Sequence, residues 1–115
     1  MSKFWRSFKY ALSGVSLAWK EEANFKIEVS VAVLAIVLGL FFGISRLEWV
    51  IILLTIFIVL SVETLNTALE ELCDRLEPEH DPRVGKIKDL AAAAVLITSI
   101  GAFLVGLLIF FPHLS

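Results

Sequence analysis

Apolar and polar positions in this chain fall into long blocks with helical spacing, not into strand-like alternation. Phe4, Trp5, Phe8, Leu12, Val15 and Trp19 recur every three or four residues along one face, with Lys3, Arg6, Lys9, Ser13, Ser16 and Lys20 mostly opposite. That pattern predicts an amphipathic helix over 3–20, lying in a headgroup layer or packed over the end of a bundle. Three stretches then carry no charged residue: 29–45, 49–62 and 90–115. Apolar runs of about 18 residues or more predict membrane-spanning helices, and two of these runs approach or exceed that length. The predicted spans cover about 27–43, 47–76 and 86–111. Residues 21–28 read as a charged bridge and 43–48 as a short turn. The stretch 77–84, with Pro78 and Pro82, reads as a polar loop, and Pro112 as a stop. The expected fold class is an all-α membrane protein, one surface helix and three transmembrane helices in a single domain over 1–115.

Composition strengthens this reading. Of 115 residues, 58% are hydrophobic and 19% are charged, and mean hydropathy is +0.86. A soluble domain carries roughly 45–50% apolar residues and about 25% charged. With a net charge of −2 and no basic block, nucleic acid is not expected as a partner. The single cysteine, Cys73, excludes an intrachain disulfide and a cysteine-cluster metal site. The N-terminal stretch has basic residues spread through it and no uninterrupted apolar centre, so it is not expected to be a cleaved signal.

Charge also sets the expected orientation. Lys3, Arg6, Lys9, Lys20 and Lys26 lie before or at the start of span one, while Arg75, Arg83, Lys86 and Lys88 flank the second loop. Arg46 stands alone in the first loop, and no basic residue follows span three. The positive-inside rule then assigns the N-terminus and the second loop to the cytoplasmic side, where ATP and magnesium are available. Ala91, Ala94, Ala102 and Gly106 provide small positions for close helix approach, and a single three-helix chain has little with which to enclose a polar site, so self-association is expected.

The chemistry concentrates in span two. Glu63, Asn66, Glu70 and Asp74 stand at i, i+3, i+7 and i+11, on one helical face. At about 1.5 Å rise per residue, Glu63 lies roughly 21 Å inward from Trp49, within an apolar layer about 30 Å thick. A carboxylate at that depth needs a partner, a proton or a task. Glu21, Glu22 and Glu28 precede or begin span one, and Lys86, Lys88 and Asp89 begin span three, at similar depth. Oxygen ligands with few nitrogen or sulfur donors suit magnesium, and a nearby lysine suits phosphate. No P-loop is present, because Gly85-Lys86 lacks the rest of that pattern. His80 and His113 are too few for a histidine metal site, and His113 reads as a terminal residue with no special role. From the residues alone, a proton or cation transporter using Glu63 as its relay and a non-enzymatic scaffold stand beside an enzyme.

The motif ETLNTALE at 63–70, then Asp74, then KDLAAAAVL at 88–96 closely resembles the small prokaryotic lipid kinases, which include diacylglycerol kinase and undecaprenol kinase. FKYALSG at 8–14 and EANFKIE at 22–28 resemble them too, so the similarity covers nearly the whole chain. The resemblance implies a homotrimer with active sites shared between subunits, and transfer of the ATP γ-phosphate to a lipid hydroxyl. It implies Glu63 as the catalytic base and Glu22 with Glu70 as ligands of the Mg2+ that accompanies ATP. Lys3, Tyr10, Glu79, His80, Asp81, Lys88 and Asp89 would contact the nucleotide, as would Glu22 and Glu70. Asn66 and Asp74 would support the site, and Ser7, Ala11, Leu12 and Glu63 would meet the lipid alcohol. Three positions depart from the family's usual pattern. Lys3 stands where arginine is usual, Asp81 where histidine is frequent, and Glu28 where undecaprenol kinases often carry histidine.

Overall fold

A computed structural model describes residues 2–76 and 81–114, and the described chain is helical almost throughout. Helix α1 covers Ser2–Glu21, α2 Ala23–Phe42, α3 Arg46–Leu76 and α4 Pro82–Phe110, followed by a 3-10 turn over Phe111–Leu114. The all-α architecture is the one the apolar pattern predicts. The stretches Ala23–Phe42, Arg46–Leu76 and Pro82–Leu114 are each long and apolar enough to cross a membrane. The 31 residues of α3 extend roughly 46 Å, about ten residues more than the hydrocarbon requires, so its last turns project beyond the apolar layer.

Helix ends differ from the sequence expectation in ways that local chemistry explains. Helix α2 begins at Ala23, four residues before the predicted span, because 23–28 holds no glycine or proline and its charges are compatible with a helix. Only Glu22 leaves helical geometry, with φ −113° and ψ 110°. Helix α4 begins at Pro82, inside the predicted loop. Proline suits the first helical position, and the Asp81 carboxylate caps the helix by accepting the Arg83 backbone N–H at 2.9 Å. Helix α3 begins at Arg46 through a reciprocal capping box. Ser45 N–H donates to Glu48 Oε1 at 2.9 Å, and Glu48 N–H donates to Ser45 Oγ at 3.2 Å. The chain also continues past Pro112 as a 3-10 turn.

The end away from the acidic stripe is tightly knitted. Gly43, with φ 61°, closes α2 in the left-handed conformation, and Ile44 N–H donates back to Gly39 O at 3.2 Å. This buries Ile44 with Ile52 and Ile109, against Phe42, Trp49 and Phe110. His113, far from idle, stacks on Phe42 with centroids 5.8 Å apart, and its Nε2 lies 3.5 Å from Glu48 Oε2. One imidazole thus ties the ends of α2, α3 and the terminal turn together.

Helix α3 packs most extensively on α4, then on α2, while the main contact of α1 is with α2. Large apolar side chains such as Phe41, Phe57 and Leu108 are exposed on the single chain. Such a surface suits lipid tails or further copies of the chain rather than water.

Gly39 is buried where a Cβ would stand 2.8 Å from Trp49 Cη2 and 3.0 Å from Ile44 Cδ1. Gly39→Val should therefore cost about 1–3 kcal/mol by overpacking. Thermal unfolding in detergent micelles measures this, and a melting temperature equal to or above that of the wild type would contradict the packing described.

Candidate functional site

Glu63 sits a little past the middle of α3 and is only 2% exposed. The packing within one chain already buries this carboxylate. Helix α4 packs more extensively on α3 than any other helix does, and Ala91 is buried in its run of four alanines. Glu63 Oε2 is buried and accepts no hydrogen bond among the described residues, as are Glu28 Oε2 and Asn66 Oδ1. An unpartnered buried polar atom costs about 1–3 kcal/mol, so three in one region mark a site kept for something other than stability.

The carboxylates converge from two helices and the bend between α1 and α2. The charges of Glu22, at that bend, and of Glu70, two turns along α3, both act on Glu63. Glu63 acts in turn on Glu28 of α2. Asn66 Nδ2 donates to Glu70 Oε1 at 3.1 Å, which fixes one Glu70 oxygen. Asn66 is itself buried, so the amide is held by its surroundings while its own oxygen stays free.

Nearer the end of α3, Lys88 Nζ donates to Asp74 Oδ1 at 2.7 Å, joining α3 to α4. Sequence reading treated these two residues separately. The available signal was their symmetry, seven positions either side of Asp81, because antiparallel helices pair residues equidistant from their turn. Asp89 lies exposed beside Lys88. Asp81 accepts Arg83 Nε and Nη2 at 3.2 and 3.1 Å as well as the backbone N–H. The Arg83 side chain holds the Asp81 carboxyl below the usual carboxylate range, with the backbone hydrogen bond assisting.

Lys3, Ser7, Tyr10, Ala11 and Leu12 all lie exposed on α1. Glu79 and His80 lie outside the described residues. Among the described residues, no three histidine, cysteine or carboxylate side chains are gathered to hold a metal ion. Magnesium that accompanies a nucleotide needs less than that, only one or two carboxylates together with phosphate oxygens and water. Glu22 and Glu70, oxygen donors from separate elements acting on one buried orphan carboxylate, fit that requirement.

An apolar groove of about 570 Å³ runs between α2, α3 and α4, past Leu38, Ile56, Phe103 and Phe110, and includes Glu28 in its lining. The site thus has a charged side and an apolar side that meet near Glu28 and Glu63.

Comparison with known proteins gives this arrangement a context. Residues 9–110 match the family model described as prokaryotic diacylglycerol kinase. The chain is 35% identical over 114 residues to undecaprenol kinase of Bacillus subtilis, covering 99% of this chain and 93% of that one. It is 32% identical over 104 residues to diacylglycerol kinase of Escherichia coli, covering 90% and 85%. Against diacylglycerol kinase of Helicobacter pylori it is 37% identical over 97 residues, covering 82% and 76%.

If Glu63 is retained at the expense of stability, Glu63→Leu should unfold at a higher temperature than the wild type, gaining about 1–3 kcal/mol. Calorimetry or scanning fluorimetry in micelles tests this, and a clear loss of stability would show that Glu63 has a structural partner.

Proposed function

The chain belongs to the prokaryotic diacylglycerol kinase family, and on that premise we propose that it transfers the γ-phosphate of ATP to the hydroxyl of a membrane lipid alcohol. It is a membrane protein and a lipid kinase. The acceptor is diacylglycerol or undecaprenol, giving phosphatidic acid or undecaprenyl phosphate. The observation that carries the proposal is the buried Glu63 carboxylate, with one oxygen unpartnered and with Glu22 and Glu70 acting on it.

Glu63 is the general base. Its free Oε2 accepts the proton of the lipid hydroxyl as the lipid oxygen bonds to the γ-phosphorus and the bond from that phosphorus to ADP breaks. General-base assistance of this kind contributes typically about 10²–10⁴-fold. Glu22 and Glu70 would hold Mg2+ with the nucleotide, and Asn66 fixes Glu70 for that task by its hydrogen bond. When bound there, Mg2+ would supply neutralisation of phosphate charge. Lys88 supplies a point charge for phosphate, and Asp74 holds it ready. Lys3, Tyr10, Glu79, His80, Asp81 and Asp89 complete the nucleotide contacts by family resemblance.

The vertical order of the groups supports the same reading. Glu63 lies at the depth of a lipid hydroxyl, while Glu70 lies roughly 10 Å nearer water, where a nucleotide arrives. The groove that reaches Glu28 offers an apolar run for a lipid chain, and by family resemblance the exposed Ser7, Ala11 and Leu12 of α1 meet the lipid alcohol as well. The N-terminus and second loop face the cytoplasm in the bacterial inner membrane, and three copies assemble as a homotrimer with the active site shared between subunits. The apolar side chains exposed on a single chain support that assembly.

ADP release on adding diacylglycerol or undecaprenol to the protein in micelles with ATP and Mg2+ tests the proposal, and release with neither lipid would overturn it. Glu63→Gln should lose at least about a hundred-fold in turnover with assembly retained; a variant at full rate would remove Glu63 from its role. Glu70→Ala should raise the Mg2+ concentration needed for half-maximal rate, and an unchanged Mg2+ dependence would reject Glu70 as a ligand.

A further inference from the structure

The bend between α1 and α2 carries a fastener that the chemistry above does not use. Glu22 is the single residue between two helices of 20 residues each. Neither glycine nor proline stands there, so the backbone itself does not demand a bend. Hydrogen bonds continue on both sides, from Glu22 N–H to Ala18 O at 3.0 Å and from Lys26 N–H to Glu22 O at 3.3 Å. The torsions of one residue therefore set the angle at which α1 leaves α2.

Such an elbow needs bracing from side chains. Ala18 and Phe25 are buried on either side of it. On its outside, Lys26 Nζ lies 5.7 Å from the centroid of the Trp19 ring. Trp19 stands three residues before Glu22 and Lys26 four residues after it, so the contact spans the bend and can form only over a narrow range of angles. An ammonium within about 6 Å of an indole face is attracted by the ring quadrupole, most strongly where water is partly excluded.

Glu22 is the hinge itself, so the direction of its side chain follows the angle of the elbow. Its charge acts on Glu63 at the angle seen here. We infer that the Trp19–Lys26 contact locks the elbow so that the Glu22 carboxylate faces the Glu63 site, making Trp19 and Lys26 positioning residues for the magnesium–nucleotide complex. The inference rests on the reading of Glu22 as a metal ligand. It also predicts a sign that simple electrostatics would reverse. Removing the Lys26 charge by itself would tighten cation binding nearby, whereas loosening the elbow weakens it.

The test uses Mn2+ as a paramagnetic probe, its free-ion signal titrated by electron paramagnetic resonance. The full-length protein is held in non-ionic micelles with a non-hydrolysable ATP analogue and no lipid acceptor, so no turnover is involved. Lys26→Met and Trp19→Leu should each weaken Mn2+ binding roughly three- to five-fold. Lys26→Arg and Trp19→Phe, which keep a cation and a ring, should recover most of that loss. The double variant Trp19→Leu/Lys26→Met should be no weaker than the worse single variant, because both remove one shared interaction. Wild-type Mn2+ affinity in both single variants, tighter binding in Lys26→Met, or fully additive losses would each overturn the inference. Dependence on anionic lipid, with no effect in non-ionic micelles, would likewise overturn it and make the pair a headgroup contact. Mn2+ binding that survives Glu22→Gln would instead remove the metal reading of Glu22 on which the inference stands.

Discussion

A carboxylate buried in an apolar helix without a hydrogen bond to one of its oxygens is the constraint around which this molecule is organised. Nothing in the described structure satisfies Glu63 Oε2, and the surrounding charges are of the same sign. A protein of 115 residues has little stability to lose, so such an arrangement persists only where the rest of the fold holds it. Helices α3 and α4 do so by their extensive packing on each other, and the opposite end does so by a dense apolar knot.

That division of labour separates stability from chemistry along the helix axis. At one end, Gly39, Trp49, Ile44 and Ile52 interlock, and Phe42, His113 and Glu48 tie three segments together. At the other, polar groups are left partly unpaired, and the side-chain contacts that do form include Asn66 with Glu70 and Asp74 with Lys88. Phosphoryl transfer asks the protein for position and charge rather than for covalent chemistry. Under the proposed function, carboxylates and a lysine at graded depth on a helical bundle would meet that need without a glycine-rich phosphate loop. A lipid alcohol can then react without leaving the bilayer.

Most of the architecture was legible along the chain because membrane spans are written in composition. Charge-free stretches announce α2, α3 and α4, and the spacing of Glu63, Asn66, Glu70 and Asp74 announces the polar face of α3. Helix termini were less legible, since they depend on capping. The Ser45–Glu48 box and the Asp81–Pro82 start are both short signals, and each lay inside a stretch first read as turn or loop. The stop before Pro112 held for the α-helix, which ends at Phe110; what the sequence left unread is the tighter 3-10 turn beyond it, which a proline permits and which carries His113 to Glu48.

Period and hydropathy by themselves determined that this chain is helical, where it enters an apolar layer, and which side chains share a face, because those properties depend only on residues near one another in sequence. Tertiary structure alone decided which faces meet. It buried Glu63 within one chain, paired Asp74 with Lys88, gave His113 a partner 65 residues away, and bent the chain at Glu22 with Trp19 and Lys26 across the bend. These outcomes follow from the angles and depths at which separate helices pack, and no local pattern encodes an angle between two helices.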